Sequence, residues 1–244
     1  MHLRYGSSPA NSKAYSMTEL EELLVANGIS FIAFADLSPL RIEIRSALPV
    51  GVCLGKSLNP AVISELTAGP TVSYANEYRR VNRLLDKSAD QCAHYLTAKG
   101  FQAIPFQASK YAKSDNTLST ELPHKTVATL AGVGWIGKCA LLITEEYGSA
   151  VRYNTVLTDA PFPVGTPKTQ SRCGDCMECV TACPADALNG NCWYPGKPRH
   201  EFYDAHTCRA MANSLSKRTG IEHPICGICI AACPYTKRYY EHSV

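Results

Sequence analysis

Between residues 173 and 183 four cysteines fall at gaps that leave the chain little freedom: Cys173-Gly-Asp-Cys176-Met-Glu-Cys179-Val-Thr-Ala-Cys183-Pro184. Three thiols two residues apart, then a fourth after three residues and before a proline, is a spacing that wraps iron–sulfur clusters. In that pattern the fourth thiol belongs to the other cluster of a pair. A second run must then lie downstream. It is Cys226-Gly-Ile-Cys229-Ile-Ala-Ala-Cys233-Pro234, with Cys208 between the two. Crosswise donation completes two four-thiolate sets: Cys173, Cys176, Cys179 and Cys233 form one, and Cys208, Cys226, Cys229 and Cys183 form the other. The reading is two [4Fe–4S] clusters.

Structural zinc is the rival, but paired C-x-x-C knuckles closing one tetrahedron leave the third cysteine of the first run and both Cys-Pro endings without a role. Disulfides need an oxidising compartment, and Met1 to Lys13 lacks the apolar stretch of a signal peptide. That opening segment is expected to be a loose arm, and the compartment cytoplasmic and reducing. The remaining cysteines, Cys53, Cys92, Cys139 and Cys192, show no pairing pattern and read as small buried apolar residues. A chain of 244 residues with 45% hydrophobic and 18% charged content is globular rather than disordered. A net charge of +3 does not by itself argue for nucleic acid or an anionic membrane. Lys138 interrupts the longest apolar run, so no membrane span is expected.

The chain in order predicts a helix opening at Thr18, with Glu21 at the capping-box position, and closing at Gly28. Strands are expected at 30–37 and 47–54. Val81, Leu85, Cys92 and Leu96 recur at helical spacing within a helix from Glu77 to Lys99. Phe101 begins a strand, and the polar stretch from Ser109 to Ser119 reads as an exposed loop. A helix follows over 122–131, then a strand over 139–144, a hairpin turn at 145–149 and a returning strand over 151–157. Pro161, Pro163, Gly165 and Pro167 mark a linker. The fold class is therefore α+β, with one mixed layer domain over 1–165 and a cluster domain over 166–244. The cluster domain has little core of its own and is held by its metal sites.

Gly132-x-Gly134-x-x-Gly137 spells the dinucleotide fingerprint, but that fingerprint needs a strand before it and a helix after it. Here the order is reversed. The same residues nearly spell a P-loop, with Cys139 where a Mg²⁺-binding Ser or Thr belongs. Neither NAD nor ATP is expected. Gly132 reads as a helix C-cap, and the motif as a tight turn bringing backbone close to something flat or bulky.

Leu122-Pro-His-Lys, Ala-Gly-Val-Gly-Trp-Ile-Gly-Lys138 and the following Leu-Leu-Ile-Thr-Glu-Glu-Tyr-Gly, joined to this cysteine layout, resemble the epoxyqueuosine reductases and, more distantly, the reductive dehalogenases. Gly69-Pro-Thr, Tyr74, Glu77-Tyr78 and Val81-Asn82 resemble shorter double-cluster-binding relatives. The resemblance implies a nitroreductase-like α/β sandwich, a bacterial-ferredoxin-like dicluster domain and a base-off cobalamin between them. Cofactor contacts would then fall to Gly134, Trp135, Gly137 and Lys138, and the set on Cys208, Cys226, Cys229 and Cys183 would be the inner cluster. The family's aspartate proton donor has no counterpart here beyond Asp115, so His124, whose ordinary pKa lies near neutrality, is the catalytic candidate. The chain stops at Val244 without the helical repeats of the tRNA-modifying members, which argues against a tRNA partner.

The expected activity is an iron–sulfur, cobalamin-dependent reductase. It would take electrons from a flavodoxin or ferredoxin and act on a small molecule or a corrinoid. The alternative is an electron-transfer protein that services another protein's corrinoid and has no substrate of its own.

Overall fold

The computed structural model describes residues 16–109 and 118–242. The expected N-terminal arm, Asp115 and most of the polar 109–119 stretch lie outside them. The architecture is mixed α+β. A four-stranded antiparallel sheet runs in the order β1 (Phe31–Asp36), β2 (Val50–Ser57), β6 (Val151–Thr158) and β3 (Ala103–Pro105). Both of its faces are covered. Alternate residues therefore enter two separate cores: Val52, Leu54 and Val156 face α3 (Val72–Ala98), while Cys53 and Leu157 face α4 (His124–Leu130).

Local capping explains the helix starts. Ser16, not Thr18, caps α1 (Met17–Ala26), its hydroxyl accepting from the amide of Glu19. Thr71 caps α3 in the same way on Tyr74, so this helix begins five residues before the expected Glu77. β2 starts later than expected because residues 39–48 are taken up by turns, with positive φ at Ser46 and Ala47.

The strand expected over 139–144 does not pair with the strand that follows it. It contributes only β5 (Leu142–Ile143), which forms a hairpin with β4 (Trp135–Ile136), while β6 enters the main sheet between β2 and β3. The expected tight turn is present, closed by paired backbone bonds between Thr144 and Gly148.

The proline-rich segment 161–167 is pinned rather than loose. Phe162 stacks on Phe34 at 4.2 Å, and the amide of Gly165 donates to the Phe34 carbonyl. Beyond it lie α2's partners, α7 (Ile228–Ala232) and α8 (Pro234–Glu241), packed on α2 (Pro60–Ser64), with α5 (Glu178–Thr181) against α7. Ile221, Ile225, Ile230 and Ala231 join the core on the α3 side, and the Tyr239 hydroxyl donates to the Leu58 carbonyl at 2.8 Å. The tail thus borrows its core from the rest of the chain. Among the described residues no helix is long and apolar enough to cross a membrane.

Candidate metal centre and cleft

Each cysteine run is built as a turn, a short helix and a proline. In the first, Gly174 sits at φ +50°, the amide of Cys176 reaches the Cys173 carbonyl, and α5 carries Cys179. Pro184 then directs the chain away after Cys183. In the second, Gly227 at φ +95° opens α7, which carries Cys229, and Cys233 ends α7 while Pro234 starts α8. Cys208 stands in the first turn of α6 (Ala205–Arg218), capped by Asp204.

The runs exchange their last thiols. Cys183 lines a cavity of about 390 Å³ together with Cys208, Cys226 and Cys229. Cys233 is instead neighbour to Cys173, and it shares a buried apolar cluster with Cys179. All are free thiols. Burial raises the pKa of Cys226, and the neighbouring Cys208 and Cys183 raise it further. Burial likewise raises Cys229 and Cys233, the latter with a contribution from Cys173. As free thiolates these groups repel one another in a poorly solvated place. A bound cation reverses that, because it displaces the protons outright.

An all-thiol donor set selects iron–sulfur or zinc chemistry. The indole Nε1 of Trp135 is a further sign of fit. It is a buried donor with no partner among the described residues, and Trp135 lies in the apolar cluster with Cys179 and Cys233.

The glycine–tryptophan motif packs beside these thiols. Gly132, at φ +76°, is the left-handed residue just past the C-cap Ala131, as expected. A Cβ on Gly134 would be driven into the Ile143 carbonyl oxygen, and one on Gly137 would lie 2.8 Å from the Ile143 side chain. Trp135 packs edge-on against Tyr235 at 5.0 Å, and Lys138 is buried with its ammonium 3.5 Å from the Met177 sulfur. None of Gly134, Trp135, Gly137 and Lys138 lines either cavity. They form the hairpin floor beneath the cysteines. Cys139, read as an inert apolar residue, lines the cysteine cavity and hydrogen-bonds Cys179, lowering that thiol's pKa while its own rises.

A second cavity, a cleft of about 1000 Å³, adjoins the first. Leu118, Lys125, Arg199 and Arg209 line both. Its size is at the top of the range for small-molecule sites. Pro39, Ser119, Thr120, Pro167 and Thr169 on its wall are exposed, so it opens to solvent.

His124 does not reach the cleft. Its Nδ1 meets the Thr155 hydroxyl at 2.9 Å and its Nε2 meets the Gln107 carbonyl at 3.0 Å. A carbonyl only accepts, so Nε2 carries the proton and Nδ1 takes the hydroxyl's. Burial holds the imidazole below its ordinary pKa. The ring is a neutral tie between α4 and β6, and it fails the geometric requirement for a proton donor.

The neighbouring Lys125 does line the cleft. Successive helix residues are about 100° apart, so when His124 faces the sheet Lys125 points to an adjacent side of α4. Its ammonium donates to the Ala140 carbonyl at 3.0 Å, and burial, then the charge of Arg199, holds it down to about 8. Sequence reasoning passed over Lys125, although it stands beside His124 in the motif. Arg199 and Arg209 carry no local signal except that the second is adjacent to Cys208.

Residues 172–236 match the family model described as a 4Fe-4S double cluster binding domain. The chain is 35% identical over 129 residues to an epoxyqueuosine reductase of Listeria monocytogenes, covering 50% of this chain and 32% of that protein. It therefore spans about a third of that relative. Among solved structures, a catabolic reductive dehalogenase superposes with a TM-score of 0.67 at 17% identity, covering 92% of this chain and 33% of the other. Selenomethionine-labelled epoxyqueuosine reductase superposes at 0.59 and 20%, covering 90% and 65%. These likenesses show the fold.

Proposed function

We propose that this epoxyqueuosine reductase-like chain, with its double cluster domain, is an iron–sulfur reductase working on a cofactor and substrate seated in the large cleft. The observation that carries the reading is the meeting of Cys183, Cys208, Cys226 and Cys229 in a cavity that shares four wall residues with that cleft. Cys173, Cys176, Cys179 and Cys233 would hold the outer [4Fe–4S] cluster, and Cys208, Cys226, Cys229 and Cys183 the inner one. Bound clusters supply one-electron transfer, and a corrinoid in the cleft supplies a low-potential reductant for the substrate.

The chain's own contribution is arrangement. The β4–β5 hairpin excludes water from the outer thiols by inserting Trp135 among them. Lys125, fixed on the Ala140 carbonyl, presents an ammonium between the two cavities with a pKa close enough to neutrality to exchange a proton. The nitroreductase-like and ferredoxin-like descriptions of the two parts, and a flavodoxin or ferredoxin as electron donor, belong to the same proposal.

The exposed rim of the cleft favours a second reading, in which the chain presents its reductant to a corrinoid carried by another protein. Anaerobic reconstitution followed by titration with cob(II)alamin tests the proposal. About eight irons per chain and a base-off spectral change are expected. About four irons, or no spectral change after full loading, would overturn it.

A further inference from the structure

Of the four cysteines outside the two ligand sets, Cys53, Cys92 and Cys192 line neither cavity, whereas Cys139 stands where the two sets meet. It lines the cavity of Cys183, Cys208, Cys226 and Cys229, and it hydrogen-bonds Cys179 of the other set. It also belongs to the buried apolar cluster of Trp135, Cys179 and Cys233, against which Cys183 and Cys229 pack. Only 5% of its surface is exposed.

The chain holds this thiol in place with a tight turn between β4 and β5. The amide of Ala140 donates to the Gly137 carbonyl, and the amide of Gly137 donates to the Leu141 carbonyl, each at 2.9 Å. Ala140 takes φ +59°, and the Lys125 ammonium anchors its carbonyl at 3.0 Å. A Cβ on Gly137 would come within 3.4 Å of the Cys139 sulfur, so the thiol lies folded against that glycine. Backbone fixed on both sides of a residue leaves its side chain little choice of place.

A ligating cysteine has given up its proton. Once Cys179 holds a cluster, the proton in the Cys139–Cys179 hydrogen bond is therefore the one on Cys139. An S–H group is a weak donor, but a water-poor site strengthens any such contact. Hydrogen bonds to the sulfurs are among the factors that set a cluster's reduction potential. The same hairpin brings a second donor to the same thiols, the buried indole Nε1 of Trp135.

We propose that Cys139 is a positioning residue of the electron path: its S–H donates to the Cys179 sulfur and raises the reduction potential of the outer cluster, from a place on the wall of the inner cluster's cavity. Reduction adds negative charge to a cluster and its thiolates, so a donor on one of those thiolates favours the reduced form. The outer cluster then accepts an electron more readily than it would with an apolar residue at position 139. The inference rests on Cys173, Cys176, Cys179 and Cys233 holding that cluster, as proposed above.

The test compares anaerobically reconstituted wild type with Cys139→Val, which fills similar space without a donor, and Cys139→Ser, which keeps one. In EPR-monitored redox titrations the reduction equilibrium of the outer cluster should weaken at least threefold in Cys139→Val, about 28 mV for a one-electron couple. Cys139→Ser should stay at the wild-type potential or above it, and the inner cluster's potential should move less in both. Iron content and visible absorbance check that each variant carries both clusters. Equal outer potentials in wild type and Cys139→Val would overturn the proposal. So would an equal fall in both variants, since sulfur itself and not its proton would then matter. Loss of about four irons from both would overturn it too, because Cys139 would then be needed to hold a cluster.

A second measurement leaves the native side chain in place. Redox-difference infrared spectra of wild type should show an S–H stretching band that moves to lower frequency when the outer cluster is reduced, and that band should be missing from Cys139→Ser. A wild-type spectrum without it would overturn the proposal. Wild type holding about four irons would instead sink the two-cluster reading, whereas about eight irons with an unmoved potential in Cys139→Val would sink this inference alone.

Discussion

Replacing Cys183 by alanine separates crosswise ligation from ligation by consecutive cysteines. Cys183 belongs by sequence to the first run, yet it lines the cavity of Cys208, Cys226 and Cys229. Crosswise ligation therefore predicts that Cys183→Ala removes the cluster of the second run, and that iron falls from about eight to about four per chain. The structure also sets the scale of the damage to α6. This 14-residue helix buries only Ala205, Ala212, Leu215 and Ser216. Burying one leucine contributes about 1.5–3 kcal/mol. The two Ser216–Ile225 hydrogen bonds, at 2.9 and 3.2 Å, add about 1 kcal/mol each. Ordering each residue costs about 1–2 kcal/mol in backbone entropy. These contacts are few for a helix of this length, so with crosswise ligation Cys208 would tie α6 to the inner cluster. Hydrogen exchange followed by mass spectrometry should show peptides across 205–218 losing protection in Cys183→Ala, while the interior of α3 keeps it. Cys173→Ala should lose the same amount of iron and leave α6 protected. Eight irons retained in Cys183→Ala, or loss of α6 protection in Cys173→Ala alone, would refute the crosswise arrangement.

Three further perturbations bear on the same site. Lys125 is held at about 8 against an ordinary 10.5, so the unfolded chain binds more protons between those values and wild-type stability rises with pH across that window. The gain is about 3 kcal/mol if the whole shift is realised; Lys125→Met should lack it, and denaturation curves of the two proteins that stay parallel from pH 8 to 10 would contradict the assignment. Trp135→Phe deletes the orphaned indole donor beside Cys179 and Cys233; since hydrogen bonds to cluster sulfur favour the more negative, reduced form, the outer cluster's potential should fall in an EPR-monitored redox titration while the inner one's stays put. His124 is depressed below 6.5 by burial, so its native imidazole resists protonation and wild-type stability is lost as the pH falls below that value. His124→Gln should flatten this acid limb without changing iron content or cob(II)alamin binding, and a loss of either would restore His124 as a site residue.

What could be read from the amino-acid sequence depended on whether a residue's role is fixed by its neighbours along the chain. The cysteine spacing was legible because a turn, one short helix and a proline suffice to place three thiols, and the rule for the fourth comes with the spacing. The order of helix before and strand after Gly132 was legible for the same reason. The pairing of the 139–144 segment was not, because β4 and β6 both offer apolar partners and only the position of β2 decides that β6 goes to the main sheet.

The glycines of the glycine–tryptophan motif answer a packing need. Gly134 and Gly137 are small so that the hairpin can close on Ile143, and this looks in sequence like room left for a cofactor. His124 and Lys125 differ by one position and face different sides of α4, so choosing between them required knowing where the sheet lies. The basic side chains that line the large cleft, Lys125, Lys168, Lys197, Arg199 and Arg209, were the least legible of all. Its members are scattered from Lys125 to Arg209, each unremarkable in its local context. Their common property, facing one cleft, exists only after β6 and the pinned 161–167 segment have brought α4, Lys168 and α6 together. Charge assembled by the fold from distant places onto one cleft wall leaves no signature along the chain, which is why no motif pointed to it.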